Sequence, residues 1–193
     1  MQRTLAALIM TGLVAACGGG EQADTAADQP AQQAGADAMG AGAMSMPDWM
    51  RVDTAAKTVT MDIVAGQSNA NNNWNYNGYF NGNATITVPQ GYQVTINFRN
   101  NDPAIAHSLG IGTQVGNYPP QFQNPQPVFA GAMSTNPTDV MNATKPGATE
   151  TIRFTAGTAG EYAMVCYVPA HATAGMWVRF NVSSDGTAGV RTM

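Results

Sequence analysis

The stretch Cys166–Trp177, CYVPAHATAGMW, sets a thiol, an imidazole and a thioether at equal intervals, with four residues between Cys166 and His171 and four between His171 and Met176. The whole chain has only two cysteines and two histidines, so one of each falls in this single stretch. Thiolates, imidazoles and thioethers are the soft and borderline donors that select transition metals. Pro169 cannot continue a strand ladder. The flanking segments EYAMVCYV and MWVRFNVSS therefore read as two strands, with the donors in the loop that joins them.

Strand periodicity extends outward from this loop. In KTVTMDIVA, Val59, Met61 and Ile63 alternate with Thr58, Thr60 and Asp62; ATITVP and ETIRFTA alternate in the same way; in YQVTINFRN, Val94, Ile96 and Phe98 share one face. A period of two residues marks strands that bury one face. No stretch beyond the N-terminus sustains a 3.6-residue period over helical length, so the pattern predicts an all-β fold, an antiparallel β-sandwich. Between Gly112 and Thr149 lie six prolines, at 119, 120, 125, 127, 137 and 146. They predict a long connection with a short helix or an edge strand.

Of 193 residues only 10% are charged and the net charge is -4, which leaves no basic surface to hold nucleic acid by counterion release. Nucleic acid is excluded as a partner on that ground. After Arg3 the apolar run LAALIMTGLVAA is too short to span a bilayer and has the length of a signal-peptide core. It ends in LVAAC, which resembles the lipobox of bacterial lipoproteins, where the cysteine after the cut is acylated; here that residue is Cys17. Several acyl chains on one residue anchor stably where one does not. The predicted organisation is a lipoprotein signal peptide at 1–16, a lipidated Cys17 and low-complexity tether at 17–47, a folded domain bearing the metal-donor loop at 48–185 and a C-terminal tail at 186–193. The tether, rich in Gly, Ala, Gln and Asp, cannot build a core and would reach roughly 30 Å. Its Met39, Met44 and Met46 are soft donors, although composition alone accounts for them.

The second histidine, His107, follows NDPAIA and precedes the strand-like SLGI. A two-layer sandwich can bring so distant a residue beside the loop. His107, Cys166, His171 and Met176 would then form two imidazoles and a thiolate in a trigonal set with a weak axial thioether, the donor set of electron-transfer copper.

CYVPAHATAGMW resembles the copper loop of the cupredoxins, of the kind with four residues in both gaps, as in sulfocyanin and rusticyanin. NYNGYFNGNATITVPQGYQVTINFRNND, followed by HSLGI, is similar to sulfocyanin, and the resemblance runs from about residue 57 to 182. It implies a cupredoxin-like Greek-key β-sandwich and one type 1 copper cycling between Cu(I) and Cu(II). The implied ligands are His107, Cys166, His171 and Met176, with Ser108 at a position that helps hold the cysteine sulfur by hydrogen bonding. The match departs at Ala170, where related loops commonly carry glycine. The resemblance also implies redox-protein partners, a cytochrome or a terminal oxidase. With the lipid signal, it places the chain in the periplasm or outside the cytoplasmic membrane, held to the bilayer by its anchor.

Copper enzymes need further ligands and an open coordination position, and the chain has no third histidine. A non-enzymatic electron carrier is the expectation. The alternative is a periplasmic copper carrier or storage protein, which would hold Cu(I) without a reversible Cu(II) state. For a thiol hydrolase with Cys166 as nucleophile the sequence shows no sign of an oxyanion hole or of an orienting Asn or Asp, and five residues of separation along one loop is not a hydrolase signature. Met61, Met133, Met141 and Met164 read as core or surface residues. The asparagine-rich NANNNWNYNGYFNG reads as turns. The Asn-x-Ser/Thr matches at Asn83, Asn142 and Asn181 carry no weight beside a bacterial-type lipid signal.

Overall fold

Each alternating segment of the sequence forms a strand in the computed structural model, which describes residues 42–193. The nine strands are β1 (Met50–Asp53), β2 (Thr58–Ala65), β3 (Ala84–Pro89), β4 (Gln93–Asn100), β5 (Gly110–Gly112), β6 (Thr149–Thr155), β7 (Gly160–Val165), β8 (Trp177–Ser183) and β9 (Gly189–Thr192). They build a four-stranded sheet in the order β1-β2-β4-β6 and a five-stranded sheet in the order β5-β7-β8-β3-β9. The fold is all-β, a cupredoxin-like Greek-key sandwich. The signal segment, Cys17, Met39 and most of the 17–47 stretch lie outside the described residues.

The core forms where the alternating faces meet. Val59, Met61 and Ile63 of β2, Val94, Ile96 and Phe98 of β4, and Ile152 and Phe154 of β6 pack against Ile86 and Val88 of β3 and Val178, Phe180 and Val182 of β8. Strand β7 is buried on both faces. Tyr162 and Met164 enter the core, while Ala163 and Val165 lie under a second apolar cluster with Tyr118, Tyr167 and Ala172. The long connection predicted between 112 and 149 supplies Tyr118 to that cover and contains no helix or strand of its own. A side chain on Gly112 would strike the Tyr167 hydroxyl, so the short β5 stays bare where the ring lies over it.

Besides the short helix or edge strand expected between 112 and 149, three points depart from the sequence reading. The sheets are mixed rather than purely antiparallel, because β2 pairs parallel with β4 and β3 parallel with β8. The chain crosses to the other sheet between β2 and β4, and strands that leave and re-enter a sheet in this way can align in one direction. The residues expected to be a tail include β9, which pairs with β3 through Ile86↔Val190 and buries Val190. The last part of the expected tether is paired too. Ser45 exchanges both backbone hydrogen bonds with Val190, at 2.9 and 2.8 Å, and the Gly42 N–H donates to the Thr192 carbonyl at 3.2 Å. The folded unit therefore extends on both sides of 48–185.

If β9 closes the sheet, ending the chain at Ala188 should lower unfolding stability by at least about 2 kcal/mol, since burying one valine is worth about 1.5–3 kcal/mol. Urea denaturation of the full and shortened chains checks this; equal midpoints would make β9 a dispensable tail.

Candidate metal centre

Cys166 and Met176 bracket the loop between β7 and β8, and the backbone ties the two ends together: the Cys166 N–H donates to the Met176 carbonyl at 3.1 Å. Within the loop, the Met176 N–H donates to the His171 carbonyl at 2.9 Å. Two segments grip this loop from outside. On one side, the Ala170 N–H donates to the Pro120 carbonyl at 2.7 Å and the Thr173 hydroxyl to the Pro119 carbonyl at 3.0 Å. On the other, the Asn71 amide donates to the Ala174 carbonyl at 3.0 Å and the Asn81 N–H to the Gly175 carbonyl at 2.8 Å. Gly175 has φ +102°, and the Asn81 side chain occupies the space a Cβ would need. Ala170 adopts φ +69°, the left-handed angle suited to glycine.

His107 reaches the loop from the other segment. Its backbone pairs with Thr144 in both directions, at 3.0 and 2.9 Å, so the long connection returns to hold it. The donor atoms converge: the two Nδ1 atoms of His107 and His171 are 3.1 Å apart, and Cys166 Sγ lies 3.4 Å from His171 Nδ1 and 4.0 Å from His107 Nδ1. These are the separations of atoms that share one ion through bonds of about 2.0–2.3 Å. His107, Cys166 and Met176 are fully buried, and His171 is 4% exposed. Met176 belongs to the same apolar core as Cys166.

The remaining polar groups of the site are satisfied. Ser108 donates its backbone N–H to Cys166 Sγ at 3.3 Å; its hydroxyl lies 3.6 Å from that sulfur and accepts the Tyr167 N–H at 2.8 Å. Burial pushes the Cys166 thiol up, and the Ser108 N–H and hydroxyl oppose that rise by stabilising the thiolate. Burial pushes the His171 imidazole down to about 4, helped by the neighbouring His107, and burial likewise lowers His107. Near neutral pH both rings are therefore uncharged and able to offer lone pairs.

Three residues at the site carry no signal in the sequence. Asp102 Oδ2 lies 3.1 Å from His107 Nε2, and its Oδ1 accepts the N–H groups of Ala104 and Ile105 at 2.9 and 3.0 Å. Burial would raise this carboxyl, but those two N–H groups and the His107 ring outweigh it and hold it below the ordinary value. With Nε2–H given to Asp102, His107 turns a bare Nδ1 toward Cys166 and His171, as metal-binding histidines do. Trp74, inside the asparagine-rich stretch, stacks on His171 with ring centroids 4.1 Å apart. The Tyr76 hydroxyl donates to the Ser108 carbonyl at 2.5 Å beneath the sulfur. An Asp before a proline and aromatics among asparagines read as turn material, so only the fold exposes them. Met61 and Met164 are core residues and Met141 is exposed, in keeping with the sequence reading. Met44 and Met46 flank Ser45, which is bridged to β9.

A family model described as the Sulfocyanin (SoxE) domain matches residues 45–192. The chain belongs to the sulfocyanin family. It is 31% identical to the sulfocyanin of Sulfolobus acidocaldarius over 138 residues, which is 68% of this chain and 67% of the relative. Solved structures similar to it include reduced auracyanin from the photosynthetic bacterium Roseiflexus castenholzii, at 29% identity, covering 64% of this chain and 96% of that one with a TM-score of 0.43. Rusticyanin from Thiobacillus ferrooxidans is similar at 25% identity, covering 70% of this chain and 87% of that one with a TM-score of 0.44. The sulfocyanin family is one of blue copper electron-transfer cupredoxins. The buried set of two imidazoles, a thiol and a thioether fits a single type 1 copper.

Asp102 uses both oxygens as acceptors, which an asparagine cannot do: one side of its amide would face a donor. Asp102→Asn should destabilise the metal-free protein by about 1–3 kcal/mol, the effect of an unmatched buried donor, and shift the His107 Nε2–H proton resonance. Denaturant titration and NMR check both, and an unshifted resonance with full stability would remove Asp102 from the site.

Proposed function

We propose that this chain carries single electrons between extracytoplasmic redox proteins through a type 1 copper that His107, Cys166 and His171 would hold, with Met176 as a weaker thioether donor. The convergence of three buried donor atoms within 4.8 Å of one another carries this reading. When bound, copper supplies a one-electron couple between Cu(I) and Cu(II). Cys166 offers a soft donor and the imidazoles borderline ones, a mixture that suits both oxidation states. The work of the protein is to keep those donors still. Ser108 holds the sulfur, Asp102 holds His107, and the two gripping segments hold the loop that bears His171.

The role proposed is that of a carrier and not of an enzyme. Both histidines of the chain lie in the donor set, which leaves none to build the further, open coordination site that catalysis at a metal needs. The surroundings favour docking through apolar contact. Residues 66–83, 103–134 and 166–176 contain no charged side chain, and Pro103, Ala104, Pro119, Pro120 and Ala174 are exposed within them. Long-range electrostatic steering would have little to act on there. A cytochrome or terminal oxidase is the proposed partner class. A lipid on Cys17 is the proposed anchor; no helix among the described residues is long and apolar enough to cross a membrane.

The visible and electron paramagnetic resonance spectra of the copper-loaded protein test the reading. An intense cysteinate-to-Cu(II) band that disappears in Cys166→Ser is expected, whereas a colourless protein holding only Cu(I) would favour copper storage. Met176→Leu is close to volume-conserving, so colour and fold should persist. Loss of a sulfur donor disfavours Cu(II) more than Cu(I), and the reduction potential should rise, each 1.4 kcal/mol appearing as about 60 mV for one electron. An unchanged potential would leave the site with three ligands. For the anchor, Cys17→Ser should move the protein from the membrane fraction to the soluble fraction with its spectrum intact; retention in the membrane fraction would sink the lipid assignment.

A further inference from the structure

His171 is the donor that comes nearest the surface, yet its ring is almost wholly covered. Its cover is Trp74. The indole and imidazole planes are 22° apart with centroids separated by 4.1 Å, so the two π-surfaces are in van der Waals contact. Trp74 itself is only half-buried. Any partner that approaches over this stack meets the indole before it meets the imidazole.

The chain holds the indole in place at some conformational cost. Asn71, Asn72 and Asn73 take successive left-handed φ angles of 50°, 54° and 65°, which asparagine tolerates better than most residues. The resulting tight turn is closed by the Trp74 N–H donating to the Asn71 carbonyl at 2.9 Å. The Asn71 amide then bonds both the Trp74 carbonyl, at 2.9 Å, and the Ala174 carbonyl, at 3.0 Å. One side chain therefore fixes the tryptophan and the ligand loop to each other. A residue serving only to exclude water could be aliphatic and would need no such brace.

We propose that Trp74 is the surface contact through which electrons enter and leave the site, with the indole rather than the imidazole as the group a redox partner touches. The proposal rests on the electron-transfer reading above. One electron passes from a reduced one-electron carrier, a haem protein or a second copy of this chain, to the oxidised centre. The indole provides a contact for tunnelling; it is not itself oxidised, and no bond is made and no proton moves.

Self-exchange between oxidised and reduced copies of the full copper-loaded protein tests this, because the driving force is zero for every variant and a shifted potential cannot mimic the effect. NMR line broadening in mixed samples gives the rate. Trp74→Leu should slow exchange by roughly tenfold or more, while Trp74→Phe should keep most of it, with the cysteinate band intact in both. In the metal-free protein the His171 ring protons should lose their ring-current shift in Trp74→Leu and keep much of it in Trp74→Phe. An unchanged rate in Trp74→Leu, or equal losses in the leucine and phenylalanine variants, would overturn the proposal while leaving the copper site standing. A wild-type protein with no cysteinate band would instead overturn the electron-transfer reading itself.

Discussion

Two imidazoles and a thiol buried side by side are groups that water cannot reach, and an unmatched polar group in such a place is expensive. Much of this end of the sandwich is explained by that constraint. Ser108 turns its N–H and hydroxyl to the sulfur, Asp102 takes the far nitrogen of His107, and the carbonyl of Ser108 is in turn occupied by Tyr76. The donors are thus fixed by hydrogen bonds from within the chain. A metal that meets preplaced donors needs little rearrangement when its charge changes.

The long connection between β5 and β6 follows from the same requirement. It looks irregular, but its second half is pinned: Ser134 bonds Leu109 in both directions, through its N–H and its hydroxyl, and Thr144 bonds His107 in both directions. Ahead of these points it carries Tyr118 and Phe122 over the outer face of β7, where Tyr167 and Trp177 pack. A strand buried on one side only could not carry Ala163 and Val165 outward beneath an apolar cover.

The core and the donor set were legible because each rests on a local signal. Strands announce themselves by a period of two, and scarcity made the histidines and Cys166 conspicuous, as only His107 and His171 were available to complete a site. What stayed hidden depends on distance through space. Nothing in GTAGVRTM suggests β9, since Val190 is the one large apolar residue within Gly189–Thr192 and its partner Ile86 lies far upstream. The parallel pairing of β3 with β8 is set by how the chain crosses between sheets and not by either segment's composition. Asp102 and Trp74 acquire their roles only when the loops close, one behind His107 and the other over His171.

The pairing of residues 42–45 with β9 gives the molecule a polarity. Strand β3 starts just after Asn81 and Gly82, whose N–H groups bond the carbonyls of Gly175 and Trp177, so the beginning of β3 lies at the end that carries the ligand loop. Thr192 pairs with Ala84 at that same end, and Gly42 is bonded to Thr192. The polypeptide therefore enters the sandwich on the ligand-bearing side and runs along β9 toward the far side before turning into β1. A force applied upstream of residue 42 would load this ladder lengthwise and draw the ligand-bearing end toward its source, so that a leash at the N-terminus would also act as a pointer.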